Sequence, residues 1–108
     1  MATKSNKLPG ELPIPPAALK DHKAIEMIRT WVAAEQLHCC VNIGHWHGEF
    51  DEPSAWGILL ADVVRHVANA LEEEFGMDVR EAIPAIRESF LAELAKPTSM
   101  HQGRYVDD

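Results

Sequence analysis

The chain has 108 residues, 46% of them hydrophobic and 25% charged, which suits one small soluble domain and excludes a collagen, a disulfide scaffold, a transmembrane bundle and a wholly disordered tail. A chain of this size buries about 60–70% of the surface it exposes unfolded, enough for one core without covalent staples. Seventeen acidic side chains against ten Lys and Arg leave a net charge of −7, which argues against nucleic acid and against a membrane surface as partners.

The two cysteines, Cys39 and Cys40, are adjacent. Neighbours on a strand point to opposite faces, so these two do not readily bridge each other. The start, Met1 to Lys7, is polar, with no apolar run behind it and no membrane-length apolar stretch anywhere. The expectation is a cytoplasmic protein with free thiols.

Residues 1–11 carry no periodicity and read as a flexible arm, followed by a single domain over 12–96 and a polar tail over 97–108. Leu12-Pro13-Ile14-Pro15-Pro16 fixes an extended lead-in to a first helix, with Leu12 and Ile14 free to anchor it. Pro16 suits a first helical turn, and the pattern predicts a helix from there to about Ala34, re-started at Asp21. Leu19, Ile25, Ile28 and Val32 fall on one face of it, with Trp31 alongside, and Glu26 and Arg29 are spaced to pair.

Leu37 to Ile43 changes period. Leu37, Cys39, Val41 and Ile43 alternate with His38, Cys40 and Asn42, the pattern of a half-buried strand, and Gly44 breaks it. His45 to Phe50 reads as a short return strand or an irregular loop.

Pro53, after Asp51 and Glu52, opens the clearest helix. Trp56, Leu59, Leu60, Val63, Val64, Val67, Leu71 and Phe75 form its apolar stripe, and Gly76 stops it. Asp78 to Glu81 reads as a capping box for a third helix with Val79, Ile83, Ile86, Phe90 and Leu94 on its apolar side. Pro84 is expected to kink or split that helix, and Lys96-Pro97 to close it. Val63, Val67 and Ile86 are expected to be nearly fully buried, since each lies in mid-stripe.

These elements predict an α+β fold, three helices packed on one small antiparallel sheet in the order helix, strand, helix, helix. One strand alone leaves its backbone unpaired. Either His45 to Phe50 supplies a mate or a second subunit completes the sheet, and the latter predicts a homodimer with Val41 near the two-fold axis.

Three groups of residues are candidate sites. His38 and Cys40 share a strand face, and His45 and His47 flank Trp46 in the following loop. Imidazole and thiolate ligate zinc, so His45 and His47 are the alternative metal ligands. No familiar ligand spacing is present, and the preferred reading is no metal and no cofactor. Trp46 is the candidate binding hot spot. Asp62, Arg65 and His66, with Asn69 and Glu73, lie along one flank of the long helix. An Asp–His pair at i,i+4 can do acid–base work, but a salt-bridged structural flank explains the same letters and is preferred. Cys39 reads as a small buried hydrophobe, and Cys40 beside His38 as an inert thiol rather than a nucleophile. No glycine string forms a phosphate loop.

The strap Leu12 to Pro16, Glu26, Arg29 and Trp31, the run Ala55-Trp56-Gly57-Ile58-Leu59-Leu60-Ala61-Asp62 with Arg65-His66, then Pro97-Thr98 and Gly103 resemble a small proteobacterial family, domain of unknown function 5076. The resemblance runs from about Leu12 onward, and Trp56 to His66 is its most specific part. It brings no assigned activity, and it implies a stand-alone bacterial domain of the cytoplasm. The expected function is a small non-catalytic binding or assembly module acting as a homodimer. The alternative is a metal- or small-molecule-binding domain using His38 to His47. An enzyme, third, would need a deep pocket lined by Asp62, His66 or Cys40.

Overall fold

The computed structural model describes residues 8–107, so most of the arm expected over 1–11 lies outside the described residues. The order is α1 (Pro16–Lys20), β1 (Ile28–Ala33), β2 (Gln36–Ile43), α2 (Glu52–Phe75), α3 (Val79–Ala95) and β3 (His101–Asp107). The class is α+β, as the periodicity predicts, and the helix, strand, helix, helix order gains β1 ahead of β2 and β3 at the end.

The first helix is shorter than its spacing predicts. Asp21 ends α1 rather than re-starting it: its carboxylate accepts the Lys23 N–H at 2.9 Å and its carbonyl accepts the Ala24 N–H at 3.0 Å. That Asx-type turn competes with helical continuation. Beyond it, Ile28 to Ala33 is strand, not helix, and pairs antiparallel with β2, Ile28 opposite Val41 and Ala33 opposite Gln36. The linking residues Ala34 and Glu35 both have positive φ, 50° and 62°, as a two-residue hairpin turn matched to strand twist requires.

Residues 101–107, within the stretch that reads as a polar tail, form β3, parallel to β2 with Leu37 opposite His101 and Ile43 opposite Asp107. The sheet is therefore mixed, with β2 central. This corrects the expectation that the strand lacks a mate: both edges of β2 are paired within one chain. Val41 lies between Ile28 and Tyr105 of its own chain, so it marks no two-fold axis between paired strands. Nor does His45 to Phe50 return as a hairpin; it turns, with a single bridge from His47 to Phe50. Parallel pairing brings β3 close enough that a Cβ on Gly103 would run into the carbonyl oxygen of Cys39, so this position has room only for glycine.

Both long helices stand where their stripes predict. Gly76 takes the left-handed conformation at φ 72° and donates to Glu72, closing α2. Asp78 caps α3, its carboxylate accepting the Arg80 N–H at 2.8 Å. Pro84 does not split α3, which runs unbroken from Val79 to Ala95; lying in the second turn, it removes only the bond toward Arg80.

α2 and α3 pack on each other, and Ala68 is fully buried in α2. Leu60, Val64 and Leu71 beside it are half-buried, as are Val79, Ile83 and Ile86. Val63, Val67 and Ile86 are not buried as expected; Ile86 is only half-buried, and Val63 and Val67 stay 46% and 41% exposed. The stripe on α2 is wider than one neighbouring helix can cover. Among the described residues, the strands approach one another and α2 approaches α3, while neither long helix packs closely on a strand. Helical pair and sheet therefore form two separate layers within one chain.

Candidate functional site

The most organised polar cluster lies where β2 leads into α2. Glu52, first residue of α2, accepts three hydrogen bonds: from the Gly44 N–H at 3.0 Å, from the Trp46 N–H at 3.1 Å and from Trp56 Nε1 at 3.1 Å. The Gly44 amide leads in holding this carboxyl below the usual range, helped by Trp56, Trp46 and the nearby His47 and opposed by partial burial. The helix N-terminus also favours a carboxylate there. Gly44 itself sits at φ 97°, a conformation side chains resist, which lets the chain turn back toward Glu52.

The bonds from Glu52 bring Trp46 onto Trp56, with ring centroids 5.8 Å apart and planes at 81°. His45 packs edge-on against Trp46 at 5.4 Å. Trp46, the predicted hot spot, is thus pinned between His45 and Trp56 rather than free in a loop. It borders an open groove of about 610 Å³ along α2, lined also by Phe50, Ala55, Ile58, Leu59, Asp62, Val63 and His66.

The structure therefore joins two of the sequence-predicted groups. Trp46 shares one groove with Asp62 and His66. Arg65 pairs with Asp62 at 3.1 Å on the surface, the salt-bridged flank that the spacing allows. The groove walls are otherwise apolar, and the lining holds no Ser, Thr, Cys, Lys or Arg.

His38 and Cys40 are not part of that groove. They share one face of β2 with Asn42, and Cys40 registers with Arg29 and Arg104 on the flanking strands. His38 Nε2 and Asn42 Oδ1 are buried with no hydrogen-bond partner among the described residues. Cys39, Val41 and Leu37 face the other way, with Ile28 and Val32. Among the described residues, no three His, Cys, Asp or Glu side chains converge as a metal site would need. His45 and His47 follow β2 in the loop clamped by Glu52, while His38 stays on the strand.

Glu26 and Arg29 do pair, at 3.0 Å, and Glu11 adds a second carboxylate to the same guanidinium at 3.3 Å. Both contacts raise the Arg29 pKa, Glu26 foremost. The Glu11 contact ties the residue before the proline strap to β1.

Sequence reasoning missed Glu52 and Glu93 as organising residues. Glu93 does at the far end of the helical layer what Glu52 does at the near end. It accepts the Thr98 N–H at 2.9 Å and the Thr98 hydroxyl, as the chain leaves α3 for β3. The Thr98 hydroxyl, then its amide, hold the Glu93 carboxyl below its ordinary range. Lys96-Pro97 marks the end of the helix, but nothing local says that a carboxylate inside it closes the turn that follows.

No helix among the described residues is long and apolar enough to cross a membrane. The curated proteins contain no match to the chain. Among solved structures, one described as a "putative pyruvate dehydrogenase from the photosynthetic bacterium Rhodopseudomonas palustrus CGA009" shares 34% identity with it. That match covers 85% of this chain and 90% of the other, with a TM-score of 0.61. The family described as domain of unknown function (DUF5076) matches residues 11–98, which include the strap, the Glu52 junction and the Glu93–Thr98 turn, and the chain belongs to this family.

Proposed function

We propose that the chain is a small non-catalytic binding or assembly module of the cytoplasm, and that it works as a homodimer. One observation carries this: the chain holds two apolar layers that do not meet. A sheet with an apolar face and a helix pair with an apolar stripe each need cover, and a stable domain buries one against the other. Here Ala68 is the one buried hydrophobic residue among those described, while Val32 is 83% exposed and Leu94 67%. The chain exposes 9156 Å², against about 6,000 Å² for a compact protein of its mass. Its radius of gyration is 16.1 Å, against about 13 Å. An obligate homodimer, which buries about 1,000–2,500 Å² on each side, would cover much of that excess of about 3,000 Å².

Light scattering tests this directly. The expected mass is twice the 12.0 kDa chain, held on dilution into the micromolar range. A single-chain mass at high concentration overturns the reading.

The name of the similar structure raises oxidation of pyruvate as an activity. Pyruvate is a small anion, and the groove beside Trp46 offers Asp62 and no Lys or Arg among its lining residues. That chemistry favours apolar contact over capture of a small carboxylate. Zinc or a small molecule in the His38 to His47 region remains the alternative use of the site. Bound zinc after tag-free purification would support it.

A further inference from the structure

The two layers fail to meet within one chain for a reason that names residues. The chain passes between sheet and helical pair twice, once from β2 into α2 and once from α3 into β3. Each crossing is held by a glutamate. Glu52 fixes Gly44, the residue directly after β2, to the first turn of α2. Glu93 fixes Thr98, three residues before β3, to the last turn of α3. Both bonds hold the helices at the ends where the chain enters and leaves them.

The unmet surfaces are complementary in kind. On the sheet, Val32, Leu37 and Ile43 lie on the apolar face with Cys39 and Val41, and the first three are 83%, 41% and 37% exposed. On α2, Val63 and Val67 form the part of the stripe that α3 leaves uncovered, 46% and 41% exposed. We infer that a second copy of this chain fills both needs by layer exchange, the α2 stripe of each copy lying on the apolar sheet face of the other. This rests on the homodimer reading and specifies its surfaces. One two-fold axis generates both contacts, since each copy offers one helical stripe and one sheet face. Two contacts of about 800 Å² a side would cover about twice what a single standard patch covers. A dimer made by helix against helix would leave Val32 and Leu37 in water.

Complementation separates these arrangements. One chain carries Val63→Asp with Val67→Asp, spoiling the helical stripe; the other carries Val32→Asp with Leu37→Asp, spoiling the sheet face. Layer exchange predicts that each variant alone loses the two-chain mass, because both contacts of its homodimer pair a spoiled surface with an intact one. Mixed, the two variants regain it, because one contact of the mixed dimer is wholly native. If the sheet variant alone keeps the two-chain mass, or if the mixture stays monomeric, the exchange is overturned while the homodimer stands. If the unmodified chain is itself a monomer, both fall.

A cross-link that needs no charge in the interface guards against misfolded variants. In a Cys40→Ser background, Val63→Cys treated with a short bismaleimide should give a two-chain product through Cys39 of the partner copy. Adding Cys39→Ser should abolish it. Absence of the product, or its survival without Cys39, overturns the exchange.

Discussion

The carboxylate of Glu52 accepts the main-chain N–H of Gly44 at 3.0 Å, across eight residues of chain. That bond joins the residue after β2 to the first turn of α2. Trp46 and Trp56 bond the same carboxylate, so one side chain sets both the path of the loop and the tryptophan pair beside the groove. Glu52→Ala should lower the melting temperature and shift tryptophan emission to the red, as Trp46 leaves Trp56 for water. Glu52→Gln, which keeps one acceptor oxygen, should fall between. Unchanged emission in Glu52→Ala would show that the loop holds its place without the clamp.

Acid should act through the two junction glutamates. Both carboxyls are held below their ordinary range by hydrogen bonds, Glu52 chiefly from Gly44 and Glu93 chiefly from Thr98. A carboxyl depressed in the folded state contributes its full share of stability above the unfolded value of about 4.3, and loses it as pH falls through the lower folded value. The melting temperature should therefore drop between pH 5 and pH 3 (on the order of the unfolded glutamate value). In the double variant Glu52→Gln with Glu93→Gln that drop should be shallower. Parallel pH profiles for the two proteins would place the acid sensitivity elsewhere.

Ala68 is fully buried on α2, which packs against α3. Ala68→Leu should cost about 1–3 kcal/mol by overpacking the seam. Leu60→Ala, from a half-buried position on the same stripe, should cost about 2 kcal/mol, the low end for a buried leucine. Urea unfolding measures both. Midpoints equal to that of the unmodified protein would mean that the seam contributes little.

Gly103 stands against the Cys39 carbonyl, with no room for a Cβ. Gly103→Ala should push β3 away from β2 and cost about 1–3 kcal/mol. Hydrogen exchange at the β2 amides should quicken, since one edge of that strand would lose its ladder. Slow exchange retained along β2 would show that β3 adds little to the sheet.

Chelation should do nothing. Among the described residues no ligand set converges on a metal position, so EDTA should leave the melting temperature unchanged. A drop with EDTA that disappears in the double change His45→Ala with His47→Ala would install a metal site there.

What the sequence determined by itself is local. The α2 stripe, Gly76 as its stop, Asp78 as the next cap and the alternation from Leu37 to Ile43 each lie within a few residues of what they specify, and each element stands where the pattern puts it. The tertiary structure decided the rest. Ile25, Ile28 and Val32 have helical spacing, yet β1 is a strand because β2 offers its edge and Ala34-Glu35 accepts positive φ without a glycine to announce the turn. Residues 101–107 look like a polar tail because a strand's backbone, not its side chains, makes the ladder, and β3 finds its partner more than sixty residues away. Within the candidate site, the histidines and Trp46 were visible as letters, but Glu52 and Glu93 were not. A carboxylate becomes a clamp only when folding brings distant amides to it, and no pattern along the chain records that meeting.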